Sequence, residues 1–203
     1  MKRLLLFMIL IAAVLPASAQ WRRFGNTQTR PTGYLGMGFS IPANPVAARL
    51  DAGWNLAGGI GVTRGNAGIM FDALFTDFGI TRTALMQAGA RVGSQKYWAL
   101  TVGPIVHVNE RGPVDFYLTG GLGIYSQITK FKTSAELIGP YSGHYDLTSS
   151  ETIHEPGVNG GVGFAYSLGG RNNMKLFAEA RYHRMFTPGS GASFMPVTLG
   201  VRF

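Results

Sequence analysis

The side chains of this chain that are able to do chemistry fall at alternate positions. Lys175, Glu179, Arg181 and His183 share one parity, as do Asp115, Tyr117 and Thr119 further upstream, and Asp72 and Thr76 before them. A period of two is that of a β-strand, whose successive side chains point to opposite faces, so in each segment these groups face one way. Together with Arg202 they set three acids, Asp72, Asp115 and Glu179, against three bases, Lys175, Arg181 and Arg202. Such a set can lock a polar interior as a salt-bridge network, or it can line a path for protons or small ions. The near balance of sign favours the network, with His107 and His183 as further members of it.

Other chemistries find no footing. The histidines 107, 144, 154 and 183 show no metal-ligand spacing, and no Gly-x-Ser-x-Gly elbow is present. Neither a catalytic group, a metal nor a cofactor is expected. The glycine clusters at 58, 59 and 61, at 120, 121 and 123, and at 160, 161 and 163 lie in alternating segments with no helical pattern after them. A phosphate cradle needs that helix, so these glycines read as curvature positions of bent strands. The segment from Lys132 to Pro156 reads as a long loop, in which Tyr141, His144, Tyr145 and Asp146 are candidate surface contacts.

Eight alternating segments position these groups, at about 33–40, 53–63, 67–78, 96–108, 114–131, 157–168, 174–186 and 195–203. Three of the connections, at 64–66, 109–113 and 169–173, are short and rich in Gly and Asn, as tight hairpins require; the others are longer. The faces opposite the charges are apolar: Ile69, Phe71, Ala73 and Phe75; Trp98, Leu100, Val102 and Val106; Phe116, Leu118, Leu122 and Ile124; Leu176, Ala178, Ala180 and Tyr182; Val197, Leu199, Val201 and Phe203. A soluble lipocalin-like binder would turn such faces inward. Charge on the opposite faces and segments near the 9–11 residues that cross a bilayer choose the inverted arrangement. The expected fold is all-β: an eight-stranded antiparallel up-and-down transmembrane β-barrel spanning 33–203, its interior about wide enough for side chains to fill. Trp54, Trp98, Phe75 and Phe186 are expected at one membrane interface and Tyr166 and Phe116 at the other.

The start of the chain agrees with export. Lys2 and Arg3, the apolar run Leu4 to Leu15, and Ala17-Ser18-Ala19 form the pattern of a cleaved secretory signal at 1–19, and 20–32 reads as a periplasmic extension. Cysteine is absent from the 203 residues, so disulfides contribute nothing. Without Lys2 and Arg3, the 18 basic residues become 16 against 10 acidic, a formal charge of +6. Those bases are scattered rather than gathered in a stripe with interleaved aromatics, which excludes nucleic acid as the partner and suits anionic lipid headgroups and lipopolysaccharide phosphates.

The GYLGMGF run of Gly33 to Phe39, the FYLTGGLG run of Phe116 to Gly123 and the closing Val201-Arg202-Phe203 resemble the small bacterial outer-membrane barrels of the OmpA, OmpX and OmpW type. The resemblance covers the chain after the signal. It implies an outer-membrane location in a Gram-negative envelope, both termini in the periplasm, and Val201 and Phe203 as the signal read by the outer-membrane assembly machinery. It implies a monomer with a structural, membrane-integrity or surface-contact role, and the OmpW type leaves open a narrow channel for small hydrophobic or ionic solutes. The chain ends at its last strand, so no counterpart of OmpA's peptidoglycan-binding domain is expected. Lipid A deacylases among such barrels rely on a His-x-Ser element, which this sequence lacks, so no enzyme activity is expected.

Overall fold

The computed structural model describes residues 29–108, 113–137, 143–169, 174–186 and 191–203, and for 133–148 the backbone alone. Eight strands follow one another: β1 Thr29–Ala43, β2 Gly53–Arg64, β3 Ala67–Gly79, β4 Val92–His107, β5 Val114–Leu137, β6 Gly143–Ser167, β7 Lys175–Met185 and β8 Ala192–Arg202. Each pairs antiparallel with its neighbours in sequence, and β8 returns to β1, giving a closed barrel. The closure extends to the end of the chain, where Gly33 and Phe203 exchange both backbone hydrogen bonds, at 2.8 and 2.9 Å. Closure leaves no edge, so the ladder satisfies every amide it includes without water.

The alternation in the sequence becomes an inside and an outside. Along β7, Phe177, Glu179, Arg181, His183 and Met185 are buried within the barrel, while Leu176 and Tyr182 are exposed. Outward side chains on the other strands include Met37, Phe39, Ile60, Ile69, Phe71, Leu100, Leu122, Ile124, Val162 and Leu199, all exposed. An exterior of this composition around a polar interior is the reverse of a soluble barrel.

Two prolines interrupt the ladder. The β7–β8 register runs from Lys175–Arg202 to Ala180–Val197 and resumes at His183–Phe194, with Pro196, which has no N–H, inside the gap. Pro104 marks a similar gap between β4 and β5.

Several boundaries differ from the sequence reading. The segment from Lys132 to Pro156 is not one long loop, because β5 continues to Leu137 and β6 starts at Gly143, in register from Lys132–Thr148 to Leu137–Gly143. Its Thr and Ser content suits extended ribbon as well as loop. β1 starts at Thr29, so its pairing with β2 takes in Thr29 to Thr32, which the sequence alone assigns to the extension. Residues 1–28 lie outside the described residues. The β3–β4 connection carries a short helix, α1, at Arg82–Gln87, whose N-cap Thr81 accepts from the Ala84 amide. A 3-10 turn at Val46–Ala48 lies in the β1–β2 connection, and Leu50 and Ile80 bridge the two connections.

Phe71 lies near the middle of β3 and points outward, so Phe71→Arg tests the inside-out arrangement. Placing a guanidinium at that depth should cost about 2–4 kcal/mol of stability in lipid vesicles. Urea unfolding followed by the loss of heat-modifiable migration measures it, and an unchanged midpoint would contradict an exterior that faces lipid.

Candidate functional site: the barrel interior

The interior is filled in three tiers. The charges come from β3, β5, β7 and β8, with Asp115 and Lys175 at the strand ends nearest the short turns and Asp72, Glu179 and Arg181 within their strands. Arg181 Nη1 donates to Asp72 Oδ2 at 2.9 Å, and Arg181 Nε meets Glu179 Oε1 at 2.5 Å. Tyr34, on β1, donates its hydroxyl to Asp72 Oδ1 at 2.6 Å. A second cluster pairs Asp115 Oδ2 with His107 Nδ1 at 2.8 Å and with Lys175 Nζ at 3.2 Å. Asp72, Glu179 and Arg181 are all buried, so each charge depends on its partner rather than on water.

Arg202 is held differently. Its nearest acid oxygen, Glu179 Oε2, is 4.0 Å from Nη2, and none of its guanidinium nitrogens has a hydrogen-bond partner among the described residues. Aromatic rings surround it instead, with Tyr117 at 4.1 Å, Phe177 at 5.6 Å and Tyr34 at 5.8 Å from Cζ. The negative faces of these rings partly replace the missing acceptors.

The middle tier is made of amides and hydroxyls. Asn55 donates to the Phe39 carbonyl at 2.8 Å and accepts from Thr198 at 3.0 Å, Asn159 donates to Thr101 at 3.2 Å, and Ser40 lies 3.3 Å from Thr76. The outer tier is aromatic. Tyr97 packs on Phe78 and Phe194, His183 stacks on Phe194 with an interplanar angle of 6°, and the Tyr125 hydroxyl meets His183 Nδ1 at 2.9 Å. Leu50 and Ile80 are buried in the same apolar cluster, against which Val46, Leu85, Phe131 and Ile153 pack. A void beside Tyr34, Asp72 and Arg181 encloses about 10 Å³, room for about one water.

The six charged residues singled out from the sequence thus fall into two groups: Asp72, Glu179, Arg181 and Arg202 in one, Asp115 and Lys175 in the other. Parity sets Tyr117 and Phe177 inward with the charges, and Tyr97 and Tyr125 likewise; the sequence reading missed Tyr34 beside Arg202 and Phe78 and Phe194 at the outer end. Their signal was available in the inward parity they share with the charges. Outside, Trp54, Phe75 and Trp98 stand on adjacent strands with ring centroids 5.1 and 4.6 Å apart, while Lys96 pairs with Asp77 at 2.9 Å beside them. Phe186 is exposed just beyond β7; Phe116 packs on Phe164 near the opposite rim, and Tyr166 is exposed there as well. In the segment expected as a loop, Tyr141 lies outside the described residues, and the backbones of His144, Tyr145 and Asp146 pair with Glu136, Ala135 and Ser134. Val201 pairs with Leu35 and Leu176, and Phe203 with Gly33.

Most of the clustered glycines relieve crowding: a Cβ on Gly61 would collide with the Ile69 carbonyl, one on Gly123 with the Leu100 carbonyl and one on Gly161 with Ala180 and Arg181. A Cβ on Gly120 would stand 3.3 Å from the Asn159 carbonyl oxygen, a tight contact, while one on the outward Gly160 would meet nothing within 4 Å.

No protein-family model matches the chain, and no curated protein matches it. Solved structures do. The chain is similar to a major outer membrane protein from Thermus thermophilus, with a TM-score of 0.56 and 12% identity over 85% of this chain and 98% of that one. Neisserial surface protein A (NspA) aligns with a TM-score of 0.54 at 18% identity, over 85% and 95% of the two chains. Ail, the attachment invasion locus protein of Yersinia pestis, solved in complex with the heparin analogue sucrose octasulfate, aligns with a TM-score of 0.50 at 18% identity, over 85% and 99%. At these identities the likeness is one of fold: the chain has the closed eight-stranded architecture of small outer-membrane barrels.

Arg181 is the hub of its cluster, so Arg181→Met should leave Asp72 and Glu179 buried without their partner at a cost of about 3–5 kcal/mol. The triple variant Asp72→Leu, Glu179→Leu, Arg181→Met, which removes the charges together, should recover most of that loss. Denaturant midpoints in detergent micelles compare the two.

Proposed function

We propose that this chain is an outer-membrane barrel whose role is structural, contributing to membrane integrity, with surface contact through its outer ribbon. The observation that carries this reading is the packing of the interior: ion pairs, amides and aromatic rings from facing strands meet one another, and Leu50 and Ile80 are buried in the same cluster as the outermost rings. An eight-stranded interior has little room beyond its side chains, and here those side chains bond to one another. The reading is non-catalytic, since Asp72, Asp115, Glu179, Lys175 and Arg181 each lie in ion-pair contact with an opposite charge.

Location in the bacterial outer membrane is supported by the apolar exterior, by the fold it shares with outer-membrane barrels and by the export pattern of residues 1–19. The lipid partners would be phospholipid and lipopolysaccharide. Lys130 and Lys132 are exposed above the Trp54–Phe75–Trp98 band, at the level of headgroup phosphates. The terminal strand, with Val201 and Phe203, would be what the assembly machinery engages. A monomer suffices, since a closed barrel has no edge in the membrane to share.

Planar-bilayer recording of the folded protein tests the closed interior. No discrete openings are expected from the wild type or from Glu179→Ala. Steady openings in the wild type whose selectivity changes in the variant would replace this reading with a narrow ion pathway.

A further inference from the structure

The cylinder is closed, but β5 and β6 run on past their neighbours. β4 stays beside β5 as far as the Val92–Lys132 pair, and β7 stays beside β6 as far as Gly157–Met185 and the bond from the Phe186 amide to the Pro156 carbonyl. From Pro156 out to Gly143, β6 has β5 on one side and, among the described residues, no strand on the other. In an antiparallel ladder the N–H and C=O of one residue point the same way, and the direction alternates from residue to residue. Because the Pro156 carbonyl turns toward β7, so do the backbone groups of His154, Thr152, Ser150, Thr148, Asp146 and His144. They line an open edge about 34 Å long. The row of Trp98 passes through Ser126 to His154, so this edge starts at the aromatic band and rises beyond it into water.

Edges of this length are commonly guarded by lysine, proline or a bulge. Between His144 and Glu155 the sequence has no lysine, arginine or proline, and Ser150, Thr152 and His154 are exposed. The charge there is also distinctive. From Thr133 to Pro156 the chain carries Glu136, Asp146, Glu151 and Glu155 with no lysine or arginine, although the protein as a whole is basic. An acidic edge with unpaired backbone groups complements a basic chain in extended form. A second copy is a poor occupant, because a two-fold axis along the membrane normal would set the two edges parallel, with each acid level with its own copy.

We propose, resting on the surface-contact reading above, that the open edge of β6 from His144 to His154 binds a basic polypeptide segment as an added strand beyond the end of β7. Main-chain hydrogen bonds supply the affinity and the acids of the ribbon select the charge. The test is fluorescence anisotropy on the folded full chain in detergent micelles, with three peptide probes as long as the edge: alternating threonine and lysine, the same peptide N-methylated at every residue, and alternating threonine and glutamate. The first should bind and the other two should not. The double variant Thr148→Pro, Thr152→Pro removes two N–H groups from the open edge and none from the ladder with β5, and should weaken the first probe about tenfold. Glu151→Gln should reduce the salt dependence of its binding. Heat-modifiable migration establishes that each variant is folded. Equal binding of the N-methylated probe or of the glutamate probe overturns the proposal, as does no binding of the first probe or unchanged binding in the proline variant. These outcomes leave the structural reading of the barrel standing; that reading fails instead if the same preparation conducts in planar bilayers.

Discussion

Backbone amides that face hydrocarbon must be satisfied by the chain itself, and the other features of this barrel follow from that requirement. Closure between β1 and β8 is its direct expression, reaching the last residue through Gly33 and Phe203. Once the ladder is closed, side-chain parity leaves one set of residues to lipid and the other to a narrow interior. Polar groups sent inward must then find one another, because the interior holds almost no water. The Tyr34–Asp72–Arg181–Glu179 chain and the His107–Asp115–Lys175 group are that second requirement met.

The filling is graded by depth. Asp115, Lys175 and Arg202 sit at strand ends on the side of the short turns, Asp72, Glu179 and Arg181 lie further in beside the amides and hydroxyls, and rings gather toward the outer mouth. Arg202 joins the first and last kinds of chemistry, since it is a cation enclosed by Tyr117, Phe177 and Tyr34 instead of acids. Full burial of an arginine without a hydrogen-bonded carboxylate is costly, and the three rings and the Glu179 carboxylate at 4.0 Å are what offset it.

Most of the barrel was legible in the sequence because a period of two leaves an unmistakable trace when one face is apolar and the other charged. The facing of Phe71 and Asp72, or of Leu176 and Lys175, follows from that alone. The trace fades where Thr, Ser and Glu replace the apolar face, which is why residues 132–137 and 143–156 read as loop and are ribbon. Distances across the interior leave no trace at all. Arg181 could be given an inward direction from its parity, but its choice of Asp72, 109 positions away, depends on barrel stagger. Nor can composition tell an inward glycine that a neighbouring carbonyl forbids to grow from an outward one with open space, such as Gly160.

The gap in the β7–β8 ladder falls at the residue that does most of the pairing inside. Pro196 withholds an N–H opposite Arg181, so at that rung the backbone does not hold the two strands together. The Arg181 side chain reaches instead across the lumen to Asp72 on β3, while its neighbour Glu179 turns toward Arg202 on β8. Side chains thus stitch the cylinder through its bore where its wall is unsewn. The stretch of wall that lacks a backbone rung is spanned from within, by a charge contact of 4.0 Å between Glu179 and Arg202 and by the ion pair that anchors β7 to β3.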